Sequence, residues 1–282
     1  MIKIIECPRD AMQGIDTFIP TAQKAAYINQ LLKVGFDTID FGSFVSAKAI
    51  PQLKDTAEVL QKLDLSTTNS KLLAIVANQR GAIDACQFEE INYLGFPLSI
   101  SNTFQQLNIN ATIQESLVRV EAIQNLCTKN KKELIVYITM GFGNPYGDDW
   151  NLDILHDAIS KLCQLEIKKM PLSDIMGTAT AETIGNTFNA IIPSYEDIEF
   201  GLHLHTATVD HYNKIDAAYT AGCHRFDTVI NGYGGCPKTG KELIGNLNTM
   251  DFYRYAIEKN LSINLNKNEL TNAEEHAQLI FP

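Results

Sequence analysis

Short runs rich in β-branched and aromatic residues lie at about 3–7, 38–41, 72–76, 91–98, 134–139, 169–172, 200–205 and 224–229. Between them lie longer stretches, near 21–34, 49–62, 79–87, 112–129, 151–164, 180–192, 209–221 and 247–259, in which apolar residues recur at helical spacing. Thr21 and Thr112 stand where an N-cap oxygen is useful, and Gly35 and Gly222 stand where a helix ends. Strand and helix alternating from end to end predict an α/β chain built on a parallel sheet. Eight such units predict closure into a (β/α)8 TIM barrel. An open doubly wound sheet is the alternative, because periodicity does not report closure. After about residue 260, a polar lead-in and a short apolar pattern predict a C-terminal capping helix, or an end that frays.

The chain of 282 residues suits one catalytic domain spanning 1–282, since barrels of about 250 residues are routinely single domains. With 45% hydrophobic and 20% charged residues it has the composition of an ordinary globular protein. Thirty-three acids against 23 bases, spread without a block of like charge, argue against a nucleic-acid or anionic-membrane partner. A local basic pocket for a phosphorylated coenzyme stays compatible with that balance. The six cysteines are widely spaced with no Cys-x-x-Cys pair, the pattern of reduced thiols in a cytoplasmic protein. No signal peptide and no membrane-spanning apolar run is expected. Gly-x-Gly-x-x-Gly and Walker patterns are absent.

In a parallel barrel the chemistry gathers at the carboxyl ends of the strands. Arg9 and Asp10 follow the first run, Asp40 lies in the second, Asp174 follows the sixth, and His203 and His205 close the seventh. Alternate residues of a strand share a face, so the two imidazoles of His203-Leu204-His205 can share an ion, unless they are satisfied core or surface histidines. With Asp10 and the amide of Asn246 they make a mixed nitrogen and oxygen set suited to Mg2+ or Mn2+; Zn2+ is the other option. Arg9 is either a surface ion-pair partner of Asp10 or a fork positioned to stabilise an enolate. Asp40 and Asp174 are either bases or supporting groups, or else cap and salt-bridge residues. The glycine-rich loop from Asn231 carries Cys236, an acid/base thiol or an incidental one. Lys238 and Lys241 read as solvated loop charges that could otherwise meet phosphate.

Ordered along the chain are Pro8-Arg9-Asp10-Ala11-Met12-Gln13, Ser43-Phe44-Val45-Ser46-Ala47-Lys48, Asn108-Ile109-Asn110, Gly143-Asn144-Pro145-Tyr146-Gly147, Leu172-Ser173-Asp174, His203-Leu204-His205, Gly234-Gly235-Cys236-Pro237 and Gly245-Asn246-Leu247. In these pieces nearly the whole chain resembles the 3-hydroxy-3-methylglutaryl-CoA lyases of the DRE-TIM metallolyase superfamily. The resemblance implies a metal held by Asp10, His203, His205 and Asn246, and an enolate stabilised by Arg9. It also implies catalytic parts for Asp40, Asp174 and Cys236, and acyl-CoA contacts from Gln13, Lys48 and Tyr146. The implied reaction is cleavage of 3-hydroxy-3-methylglutaryl-CoA to acetyl-CoA and acetoacetate; a homodimer is the default expectation for a barrel enzyme, because twofold assemblies are the commonest.

Four positions depart from that pattern. Asp16 stands in the segment where the family carries a coenzyme-associated lysine, and Thr206 replaces the acid or amide after the second histidine. Met250 replaces an acid, and Asp40 is one methylene shorter than the usual glutamate. These departures keep two rivals in view: a related aldolase or Claisen-type synthase acting on another acyl-CoA or a 2-oxo acid, and a non-catalytic metal-binding barrel.

Overall fold

The computed structural model describes residues 2–206, 210–235 and 244–281. Its strands are β1 (Lys3–Glu6), β2 (Thr38–Ser43), β3 (Lys71–Ile75), β4 (Ile91–Ser99), β5 (Glu133–Thr139), β6 (Lys169–Asp174), β7 (Glu199–Leu204) and β8 (Arg225–Thr228). They pair in sequence order, all parallel, and β8 returns to β1 with Lys3 opposite Arg225 and Glu6 opposite Thr228. The sheet is therefore closed, and the open-sheet alternative falls away.

Most outer helices follow the predicted periods, but α-helix covers only Thr56–Leu60 of the stretch expected at 49–62, and the helices at Pro8–Met12 and Asn102–Ile109 fall outside every expected stretch. The helices are α1 (Pro8–Met12), α2 (Thr21–Leu31), α3 (Thr56–Leu60), α4 (Gln79–Ala85), α5 (Asn102–Ile109), α6 (Ile113–Lys129), α7 (Leu152–Gln164), α8 (Ala181–Ile191), α9 (His211–Thr220), α10 (Thr249–Glu258) and α11 (Lys267–Ile280). Thr112 caps α6 through a reciprocal box with Glu115. Thr21 does not cap α2: Pro20 holds that position, and the Thr21 hydroxyl donates to Asp55 instead. Gly35 and Gly222 follow helices with φ of +94° each, as their positions suggested. The C-terminal helix α11 is ordered along its length and packs against α2, with Tyr27 meeting His276 and Phe281 edge-on.

Two cores follow from the alternation of strand side chains. Outward residues such as Leu72, Ala74, Leu134, Val136 and Ile138 join the helices in one large cluster, while Leu73, Ile135 and Tyr137 form a small one inside the barrel. The barrel interior also holds Arg225, whose guanidinium reaches Glu199 at 3.2 Å and Asp227 at 3.6 Å. Gly201 makes room for it, since a Cβ there would lie 2.7 Å from Arg225 Cδ. A charged plug of this kind is tolerated because each buried charge faces an opposite one.

Glu6 points outward, beneath α10. Its carboxyl accepts from the Ile230 N–H at 2.8 Å and the Thr249 hydroxyl at 2.6 Å. Burial disfavours the charged form and pushes this carboxyl up to about 8 from 4.5, against the lowering effect of those bonds. Native stability linked to Glu6 is therefore fully present below the unfolded value near 4.5, declines as pH rises, and is lost as pH passes about 8. Glu6→Gln removes the charge, accepts from the Ile230 N–H through its amide oxygen, and donates from its NH2 to the Thr249 hydroxyl. Thermal unfolding across pH 5 to 9 should show the variant gaining stability over the wild type as pH rises; parallel curves would contradict this account.

Candidate active site

The short helix α1 follows directly on β1, with Pro8 at its start preset for helical φ. That turn delivers Arg9 and Asp10 to the carboxyl end of the barrel. On the far side of the seam, His203 lies in β7 and His205 just beyond it, where its backbone bridges Asn246. The Asp10 Oδ2 atom lies 3.3 Å from His205 Nε2 and 3.6 Å from His203 Nε2. All three residues are buried.

Arg9 is the hub of this cluster. It donates through Nε and Nη2 to Asp40 Oδ2 at 2.9 and 2.7 Å, and through Nη1 to Asp10 Oδ1 and Gln13 Oε1, both at 2.8 Å. Burial by itself opposes ionisation of Asp10, yet the Arg9 guanidinium and the two imidazoles outweigh it and hold the carboxyl well below its usual range. At Asp40 burial wins over Arg9 and pushes the carboxyl up to about 6. Asp10 is thus an anion offering one uncommitted oxygen.

A divalent cation fits this arrangement. Among the described residues, Asp10 Oδ2 and both ring nitrogens of His205 are buried without a hydrogen-bond partner. One atom each from Asp10, His203 and His205 lie within 4.8 Å of one another. Donors about 2.1 Å from a common ion stand roughly 3 to 4 Å apart, which is the spacing observed. Asn246 is buried alongside, its Nδ2 donating to the Tyr233 carbonyl at 2.9 Å, so the amide oxygen is the arm left to act as a ligand. A second grouping, Cys7 with His203 and Asp227, is less suited to an ion. The Cys7 thiol donates to the Ile5 carbonyl, and burial together with neighbouring carboxylates pushes it well above its usual value, so it offers no thiolate.

The cluster forms the floor of a cavity of about 680 Å³ lined by Arg9, Asp10, Gln13, His203 and His205 among others. Several sequence candidates stand elsewhere. Asp174 is buried, but its two oxygens accept the N–H groups of Met176 and Ala179 at 3.0 and 2.7 Å; it braces the loop after β6 instead of facing the cavity. Asp40 lies behind Arg9 and does not line the cavity. Lys48 is exposed and outside the lining, although Ala49 and Ile50 beside it contribute. Tyr146 stacks on Phe104, which lines the wall in its place. Cys236, Lys238 and Lys241 lie outside the described residues.

One group escaped the sequence reading. Asp227 faces inward from β8 and meets His203 Nδ1 at 3.3 Å, leaving Nε2 aimed at Asp10. Burial lowers the basicity of His203, but Asp227 and Asp10 together raise it. An alternating acid near the end of the eighth run was the available signal. The glycine-rich loop read from the sequence contributes Gly234, where φ is +83° and a Cβ would sit 2.1 Å from the Asp10 carbonyl oxygen. Only a glycine lets the loop root lie against the backbone of Asp10.

The chain is 28% identical to a hydroxymethylglutaryl-CoA lyase of Bacillus subtilis over 266 residues, covering 94% of this chain and 88% of that one. It is 27% identical to a 3-hydroxy-3-isohexenylglutaryl-CoA/hydroxymethylglutaryl-CoA lyase of Pseudomonas aeruginosa, covering 89% and 83%. Its fold superposes on a Brucella melitensis HMG-CoA lyase with a TM-score of 0.92 at 26% identity, covering 99% and 98%. It also superposes on an Acinetobacter baumannii HMG-CoA lyase, solved with coenzyme A and 3-methylmalate, with a TM-score of 0.91 at 27% identity, covering 100% and 91%. The pattern of the HMGL-like family matches residues 2–276, and the chain belongs to that family.

Proposed function

We propose that this protein is a divalent-cation-dependent lyase that cleaves 3-hydroxy-3-methylglutaryl-CoA to acetyl-CoA and acetoacetate. The observation that carries the reading is the convergence of Asp10, His203 and His205 beside Arg9 on the floor of one cavity. Asn246 is proposed as the fourth donor, and Mg2+ or Mn2+ as the ion, because carboxylate and amide oxygens suit hard cations. When bound, such a cation polarises substrate oxygens and makes the tertiary hydroxyl more acidic.

In the proposed reaction a base takes up the hydroxyl proton and the bond between the carbinol carbon and the thioester α-carbon breaks. The electron pair passes to the thioester as an enolate, while the carbinol carbon becomes the ketone of acetoacetate. Protonation of the enolate carbon yields acetyl-CoA. Arg9 is held in place by Asp10, Gln13 and Asp40, so its guanidinium meets the growing enolate charge with little reorganisation. Asp40 serves in this scheme as the brace of Arg9, and Asp227 fixes the ring of His203 from behind.

The whole chain is taken as one catalytic unit. The described cysteines are unpaired, consistent with a reducing cytoplasm, and a twofold dimer is the expected assembly. Among the described residues no helix is long and apolar enough to cross a membrane.

Cleavage of 3-hydroxy-3-methylglutaryl-CoA assayed beside condensation of acetyl-CoA with 2-oxo acids separates this reading from a synthase. Chelator treatment is expected to remove cleavage, and Mg2+ or Mn2+ to restore it; full turnover after exhaustive chelation would exclude the mechanism. Asp10→Asn should abolish both turnover and stoichiometric Mn2+ binding while the circular dichroism spectrum is unchanged. Asp227→Asn should weaken Mn2+ affinity about 10- to 100-fold, read by calorimetry. Unaltered affinity would limit Asp227 to packing.

A further inference from the structure

The cavity changes character between its floor and its opening. Beyond the ion site it is lined by half-buried Val45, Ile50, Asn108 and Ile109, and its rim by exposed Asp16, Phe18 and Leu107. Apolar surface interrupted by a carboxamide suits a ligand segment made of methylene groups and amides, because the Asn108 side chain offers both a donor and an acceptor. The pantetheine arm of a thioester has that composition. A cavity of about 680 Å³ encloses a drug-sized molecule. An acyl-pantetheine is of that size, whereas a complete acyl-CoA is much larger.

The rim gives the rest of a coenzyme little to hold. Its nucleotide end bears a phosphomonoester and a diphosphate, and the monoester alone carries about −1.5 to −2 charges at pH 7. Among the described lining residues beyond Arg9 and the ion site, the charged ones are Asp16 and Arg119, one of each sign. Arg119 is half-buried, and its Nη1 donates to the Ile109 carbonyl at 3.4 Å. The ammonium groups of Lys24 and Lys54 lie 4.0 and 4.6 Å from the centre of the Phe18 ring, and neither lysine lines the cavity. Lys24 also pairs with Asp55 at 2.7 Å. Lys48 and Tyr146 stand outside the lining as well. Asp16 is the charge most exposed at the opening, and a carboxylate there repels phosphate.

We propose that the enzyme reads the pantetheine arm of its thioester and leaves the nucleotide unread, with Asp16 as the rim residue that sets this preference. The proposal rests on the lyase reading of the cavity and adds a specificity for the carrier portion of the substrate. An acyl-pantetheine then serves as well as the corresponding acyl-CoA.

The test compares 3-hydroxy-3-methylglutaryl-CoA with 3-hydroxy-3-methylglutaryl-pantetheine as substrates of the Mg2+-loaded protein, and coenzyme A with pantetheine as ligands by calorimetry. A single charge-assisted bond to phosphate is worth about 10-fold or more, so an unread nucleotide should leave kcat/KM and Kd within about 3-fold across each pair. Asp16→Lys should raise the ratio of kcat/KM for the CoA thioester over the pantetheine thioester about 2- to 5-fold at low ionic strength and lose that gain as salt is added. A preference of about 10-fold or more for the CoA member in either assay would overturn the proposal. So would a ratio that Asp16→Lys leaves unmoved at low salt. Equal binding of coenzyme A and pantetheine by a protein that cleaves neither thioester would instead sink the lyase reading and leave the carrier preference standing.

Discussion

Pairing of β8 with β1 is the contact on which the chemistry depends. Asp10 and the two histidines are separated by more than 190 positions, and no local preference brings them together. Closing so long a loop costs entropy. It is recovered because each strand completes its hydrogen bonds with two neighbours and no sheet edge is left over. Once the seam forms, the ends of β1 and β7 lie within reach of each other and the donor atoms converge without further rearrangement.

At the converged point the difficulty is electrostatic. Asp10 and Asp40 are both buried, and a lone buried carboxylate would neutralise itself by taking up a proton. A single guanidinium serves both, and its planar fork can do so where an ammonium could not. The division is unequal. Asp10, with two imidazoles as well, stays ionised, while Asp40 titrates close to neutrality at about 6. Arg225 plays the corresponding part deeper in the barrel, between Glu199 and Asp227, so the interior carries two cations, each shared by two acids.

The architecture was legible in the sequence because strand and helix periods are local signals. The runs at 38–41 and 169–172 fall inside strands of the closed barrel, and the Thr112 cap holds to the residue. Asp10, His203 and His205 were legible from their places at strand ends. What could not be read is orientation within a loop. Asp174 sits at a strand end like the others, but nearby N–H groups capture both its oxygens. Lys48 and Tyr146 belong to segments near the cavity, yet their neighbours supply its surface. Asp227 and Gly201 depend on what faces them across the barrel, and that is known only when the strands are in register. The helix α5 had no counterpart among the expected stretches, which left 102–109 between a strand and the next period.

Tyr233 and Gly234 join the outside of the molecule to its centre in two adjacent residues. The ring of Tyr233 packs on Phe281 at the end of α11, its carbonyl holds Asn246, and Gly234 rests on the backbone of Asp10. The end of α11 therefore backs the segment that holds Asn246 and touches Asp10, so a contact on the rim supports residues at the centre of the barrel.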